Sequence, residues 1–222
     1  MLEFKDVEVS FNNQKLFNKI SFAMNHGEFI FLTGKSGCGK SSLLQMVYMN
    51  LIPQAGVIRL LNYNSGKITK RELPLLRRKL GIVFQDFRLL KDRNVYDNLA
   101  FVLETTNVKS REIKRRINHV LTEVGLTHRR KSMPAELSGG EQQRIGIARA
   151  IINEPVLVLA DEPTGNLDPE TSLEILDILK KINQRGTAVI FATHNYELVK
   201  SIQTRTLRIE EGQIVSLDFG GK

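Results

Sequence analysis

Hydrophobic and polar positions give this chain two textures. Leu2, Phe4, Val7, Val9 and Phe11 alternate with charged and polar residues, the period of a strand buried on one face, and the alternation slips at Asp6. Short, nearly continuous apolar runs predict buried strands at "EFIFLTG" (28–34), "VIRLL" (57–61), "GIVFQ" (81–85), "VLVLADE" (156–162) and "TAVIFATH" (187–194). "TLRIEEGQIVSLD" (206–218) predicts a hairpin turning at Glu211-Gly212. Helices are predicted over 40–50, ended by Pro53, and over 170–184, capped by Gly186. From about 88 to 154 strand-like runs vanish and a 3.6-residue period dominates, through "NVYDNLAFVLE" and "REIKRRINHVLTEVGL". The expectation is one α/β domain whose core, 1–87 and 155–222, is interrupted by a helical insert.

Composition changes this picture little. A chain of 222 residues with 41% hydrophobic and 25% charged side chains has the balance of a globular domain with a sizeable core. No apolar run approaches the ~20 residues of a membrane span, and the N-terminus lacks the pattern of a signal peptide. The one cysteine, Cys38, has no intramolecular partner, which suits a reducing compartment. Net charge is +8, and residues 88–150 hold 13 Lys and Arg against 7 Asp and Glu. "KSREIKRR" (109–116) and "HRRK" (128–131) are most simply solvated helix faces, or else a surface near anionic head groups or nucleic acid. They contain no interleaved aromatics, so a nucleic-acid stacking platform is not expected.

The chemistry begins at "GKSGCGKS" (34–41), which fits G-x-x-x-x-G-K-[ST] between a predicted strand and a predicted helix. Gly34, Lys35, Ser36, Gly37, Cys38 and Gly39 would wrap phosphates with backbone N–H groups, and Ser42 continues the loop into the helix. Lys40 would reach the β- and γ-oxygens, and the Ser41 hydroxyl would ligate Mg²⁺. "VLVLADE" delivers Asp161 to a strand end, where it would hold the metal's hydration shell. Glu162 beside it would orient or deprotonate an attacking water. Adjacent carboxylates before a proline also serve as helix-entry caps, and that reading stands beside the catalytic one. Gln85 and His194 close two other predicted strands and would face the γ-phosphate from the same sheet edge.

A second element lies a hundred residues on, in "AELSGGEQQRIGIARAI" (135–151). Ser138 and Glu141 form a capping box, which leaves Gly139 and Gly140 unexplained. Two residues without Cβ atoms at a helix mouth suit the close approach of a phosphate. Since the first loop surrounds its own nucleotide, the second would cover a nucleotide held by another copy in a head-to-tail dimer.

"LSGGEQ" (137–142), the phosphate loop, Gln85, "VLVLADE", "GNLD" (165–168) and His194 together resemble the ATP-binding cassette (ABC) ATPases over nearly the whole chain. The resemblance implies ATP and Mg²⁺ as ligands, and a RecA-like P-loop core with an N-terminal antiparallel β subdomain and an inserted α-helical signature subdomain. It also implies that Asp168 lies at the dimer seam, that His194 is a γ-phosphate switch, and that Phe11 stacks on adenine. Asn195 stands where the family commonly has aspartate. "RRKLGIVFQDFRLLKDRNVYDNLAFVLE" (77–104) is similar to the cell-division, FtsE-type branch. That branch implies a homodimer on the cytoplasmic face of the plasma membrane at the division site. It would work with an FtsX-type integral membrane protein and other division proteins to regulate cell-wall hydrolysis. The lipoprotein-releasing and macrolide-export transporters are the alternative branches.

Overall fold

The computed structural model describes residues 1–11, 14–106 and 108–217, with Phe11 in its backbone alone. Strands β1 (Leu2–Phe11), β2 (Gln14–Met24), β4 (Ala55–Leu60) and β5 (Tyr63–Asn64) form an antiparallel sheet in the order β2-β1-β4-β5. A second sheet runs β10 (Gln213–Leu217), β9 (Thr206–Glu210), β3 (Phe29–Thr33), β8 (Ala188–Thr193), β7 (Leu157–Asp161), β6 (Leu80–Val83). In it β9, β3, β8, β7 and β6 are parallel, and only β10 is reversed.

The central strands are apolar on both faces because both faces are covered. Alternate residues divide cleanly: Phe29, Phe31, Val158, Ala160, Val189 and Phe191 join one buried cluster, while Ile30, Leu32, Leu157, Leu159, Ile190 and Ala192 join the other. The first cluster is closed by α3 (Val95–Glu104), α4 (Ser110–Glu123), α5 (Gly139–Ile151), α6 (Pro169–Gln184) and α7 (Tyr196–Lys200). The second is closed by the antiparallel sheet, by α1 (Lys40–Val47) and by Leu76 of α2 (Leu73–Arg77). Each fully buried Phe or Leu contributes on the order of 1.5–3 kcal/mol, so the parallel strands are the best-anchored part of the molecule.

The break at Asp6 is a bulge. Asp6 has φ +48, and the β1–β2 register shifts between Phe4 and Val7. The strand β2 is not among the predicted elements, nor are the short β5, α2 and α7. Predicted ends move by a few residues: the helix from Lys40 stops at Val47, and β6 stops at Val83, two residues before Gln85. The helices between β6 and β7 share the cluster of the parallel sheet instead of forming a separate core.

The helical segment meets the sheet at α5 on β6. A Cβ added to Gly81 would lie 2.5 Å from the Ala150 carbonyl oxygen, a backbone atom with little room to give. Gly81→Ala is therefore expected to lower unfolding free energy by about 1–3 kcal/mol in urea titrations; unchanged stability would contradict the close seating.

Candidate active site

Every parallel strand of the second sheet ends at one edge, and the candidate residues collect there. Thr33, at the end of β3, pairs with Thr193 at the end of β8, and Asp161 at the end of β7 pairs with Ala192. The loop from Gly34, the side chain of His194 and the Asp161-Glu162 pair thus emerge side by side. Ser36, Gly37, Gly39, Lys40, Ser41, Ser42, Gln85, Glu162 and His194 line one cleft.

The loop's backbone takes conformations that glycine favours. Gly34, Gly37 and Gly39 have φ of +149, +77 and +108, and the Cys38 N–H closes a turn onto the Lys35 carbonyl at 3.2 Å. Gly39 is also fixed sterically, since a Cβ there would meet the Phe17 ring at 2.8 Å. The following helix starts without a side-chain cap, so its first N–H groups remain for a ligand. Cys38 packs against Gly34, whose hypothetical Cβ would lie 2.6 Å from its sulfur. Lys35 and Ser36 are exposed at the rim.

Lys40 is buried and held by acceptors. Its ammonium donates to the carbonyls of Gly34 (3.0 Å) and Lys35 (3.2 Å) and pairs with Glu162 Oε1 at 3.2 Å. The other Glu162 oxygen accepts from the His194 backbone N–H at 3.4 Å and lies 2.8 Å from His194 Nδ1. Glu162 has φ +46, with its N–H bonded to Ala192 O and its carbonyl taking the Gly165 N–H. A non-glycine residue held in the left-handed region is a strain that the surroundings must impose. The carboxylate is therefore aimed at the cleft and not used as a helix cap; Asp168 performs that task for α6.

Ser41 Oγ donates to Asp161 Oδ1 at 3.0 Å. Burial, chiefly, and the neighbouring Glu162 charge raise the Asp161 carboxyl above its ordinary value, against the Ser41 hydrogen bond and Lys40, which lower it. A hydroxyl and a carboxylate facing each other, with the Gln85 amide on the same cleft, are hard oxygen donors that fit Mg²⁺. That ion typically takes one or two protein groups and completes its shell with water and phosphate. Among the described residues no cluster of three or more His, Cys, Asp or Glu side chains forms a metal cage.

Gln85 is tied to the segment after Glu162. The Asn166 amide donates to the Gln85 carbonyl at 3.3 Å, and a Cβ on Gly165 would meet Gln85 Nε2 at 2.9 Å. Arg149, absent from the sequence candidates, donates to the carbonyls of Phe87 and Arg88, two successive residues at φ +58 and +50. Asn98 likewise bonds Leu90 N and the carbonyls of Leu90, Arg93 and Asn94. These groups shape the loop beyond Gln85, and nothing in their local sequence sets them apart from surface polar residues.

The second predicted phosphate element stands elsewhere. Ser138 and Glu141 make the reciprocal capping box, with Ser138 N to Glu141 Oε2 at 2.8 Å and Glu141 N to Ser138 Oγ at 3.2 Å. That backbone bond, with Arg129 at 2.8 Å, holds the Glu141 carboxyl below its usual range. Gly140 has an internal reason to lack a side chain: its Cβ would fall 2.6 Å from Thr171 Cγ2. Gly139 meets Leu167 only at an ordinary 3.5 Å, so its face stays open to approach. Asp168 is exposed and accepts from Thr171 N and Oγ1, which lowers its pKa. Asn195 caps α7. The Phe11 side chain lies outside the described residues.

Because the folded-state pKa of Asp161 is raised, protonation favours the fold. Its contribution is complete below the unfolded value and is lost as pH rises through the folded value. Asp161→Asn is accordingly expected to raise the melting temperature at neutral pH while weakening Mg²⁺-dependent nucleotide binding; a lower melting temperature would contradict this.

Residues 17–165 match the ABC transporter family. The chain is 44% identical over 223 residues to the cell division ATP-binding protein FtsE of Streptococcus pneumoniae, covering 100% of this chain and 97% of that protein. It is 46% identical to the FtsE of Bacillus subtilis, covering 100% and 98%. A solved ATP-binding cassette, a dimer in a post-hydrolysis state bound to ADP and Pi, superposes with a TM-score of 0.88 at 28% identity over the full length of both chains. A phosphate loop, a strand-end carboxylate pair and this likeness agree: the chain belongs to the ABC transporter family and is an ATP-hydrolysing subunit of the cell-division type.

Proposed function

We propose that this ATPase closes head-to-tail with a second copy around two ATP and Mg²⁺, and that closure moves a polytopic membrane partner of the FtsX type to regulate cell-wall hydrolysis. Its place is the cytoplasmic face of the plasma membrane at the division site. The observation that carries the reading is the incompleteness of the cleft. Gly34 to Ser42, Gln85, Asp161, Glu162 and His194 gather at one strand edge, whereas Ser138, Gly139, Gly140, Glu141 and Asp168 are not among the residues lining that cleft. A partner's signature helix would supply the missing N–H groups to the γ-phosphate. The dimeric arrangement of the solved cassette supports the same view.

Within each site the roles follow from position. Lys40 and the loop N–H groups hold the β- and γ-phosphates, and Ser41, Asp161 and Gln85 hold the Mg²⁺, which neutralises phosphate charge. Glu162 takes the proton from the attacking water, and His194 steadies Glu162 and the γ-phosphate edge. An arriving phosphate gives Lys40 a stronger anion than Glu162, freeing that carboxylate oxygen for the water. ATP binds the closed pair better than the open one, and hydrolysis to ADP and phosphate removes the bias.

A groove lined by Pro74, Arg77, Leu80, Phe84, Arg88 and Arg149 supports a membrane partner. Burial, and to a lesser degree nearby Arg88, depresses the Arg149 pKa, and an acidic side chain from a partner helix would relieve that. No helix among the described residues is long and apolar enough to cross a membrane.

Glu162→Gln is expected to cut turnover by at least about 100-fold while leaving ATP binding intact; near-normal turnover would remove Glu162 from the role of base. With ATP, the same variant should retain its membrane partner through purification. A small protein with few spans and one large extracytoplasmic loop supports the division reading, whereas a lipoprotein-releasing or export permease would overturn it.

A further inference from the structure

We propose that Gln143 is a positioning residue that carries engagement of the N-terminal end of α5 to Glu162 of the same chain. Gln143 sits one turn into the signature helix and is fully buried. Its Nε2 donates to the carbonyl of Pro163, the residue after Glu162, at 2.7 Å. A carbonyl only accepts, so the amide orientation is fixed, and Oε1 is left buried without a partner among the described residues. Methionine would fill the same space with no orphaned acceptor. The reason for an amide here is therefore the bond to Pro163.

That bond acts one residue from a strained backbone. Glu162, at φ +46, depends on its surroundings to stay in place, and Pro163 is where α5 grips them. The grip lies between two separate contacts of α5 with α6. Gly140 packs against Thr171, Gln143 holds Pro163, and Arg144 pairs with Glu174 of α6. A shift of the Ser138 end of α5 is thus delivered to the Pro163 carbonyl and so to the Glu162 carboxylate. On the dimer reading above, the Ser138 end covers the partner's ATP. Nucleotide in one site then sets the general base of the other, and Gln143 is the contact through which it does so.

Gln143→Met keeps the volume and removes the donor; Gln143→Asn keeps the amide and loses the reach, and serves if the first variant does not fold. Either should lower kcat about 10- to 100-fold with half-saturation changed less than about 2-fold, and should turn a sigmoidal ATP dependence hyperbolic. Glu174→Gln loosens the neighbouring tie of α5 to α6, which leads to Glu174 and not to Pro163, and should keep both kcat and the sigmoidal curve. Full kcat and cooperativity in the Gln143 variants, or equal losses in Glu174→Gln, would overturn the proposal. A wild-type chain that is non-cooperative, with a Glu162→Gln form that stays monomeric in ATP, would overturn the dimer reading and this inference with it. A cooperative wild type with unaffected Gln143 variants would overturn the coupling alone.

Discussion

The parallel pairing of β3, β8, β7 and β6 is the constraint on which the site depends. Parallel strands run the same way, so their carboxyl ends share an edge, and the loop leaving each strand begins there whatever its distance in sequence. The register sets Thr33 beside Thr193 and Asp161 beside Ala192, which puts Glu162 within bonding range of both Lys40 and His194, two residues 154 positions apart in the chain. The buried clusters on both faces keep that register from slipping, because a one-residue shift would exchange the two sets of core side chains. Catalytic geometry is thus a consequence of core packing.

The same packing separates the two elements that the sequence marks out for phosphate. The phosphate loop leaves its helix uncapped, while α5 is capped by its own chain and neutralised by Arg129 at Glu141. Of the two glycines at the mouth of α5, Gly140 is accounted for by Thr171, which narrows the sequence argument for phosphate approach to Gly139 and the exposed Ser138. What α5 lacks in its own cleft it gains in connection, through Gln143 to the Pro163 carbonyl beside Glu162 and through Gly140 and Arg144 to α6, which Asp168 caps.

Legibility in the sequence tracks burial. Strands covered on both faces, such as β3, β7 and β8, announce themselves as apolar runs, and their carboxyl ends name Gly34, Glu162 and His194 directly. Strand β2 hides because its alternation changes phase: Asn18 and Lys19 are exposed in succession, and Lys19 has φ +52, so Phe17 and Ile20 fall three apart. α2 is five residues containing Pro74, too short to show a period. Gln85 is readable as a strand-end polar residue, although β6 stops at Val83. Gln143 and Arg149 are not readable, because their partners are main-chain carbonyls 20 and 61 or 62 residues away that no side-chain pattern marks.

The central claim is that a working site takes its phosphate loop and Glu162 from one chain and its Ser138 helix from another. Lys40→Ala and Ser138→Arg each disable every site of their own homodimer. Mixed in equal amounts and allowed to exchange, they form heterodimers in which one site is doubly damaged and the other complete. Independent sites would give about a quarter of wild-type ATPase activity, and the dependence of Glu162 on its own chain's engaged Ser138 helix lowers that by about 10- to 100-fold. Activity measurably above either variant alone is the predicted result; a mixture as inactive as either variant alone, with heterodimers verified, would contradict the account.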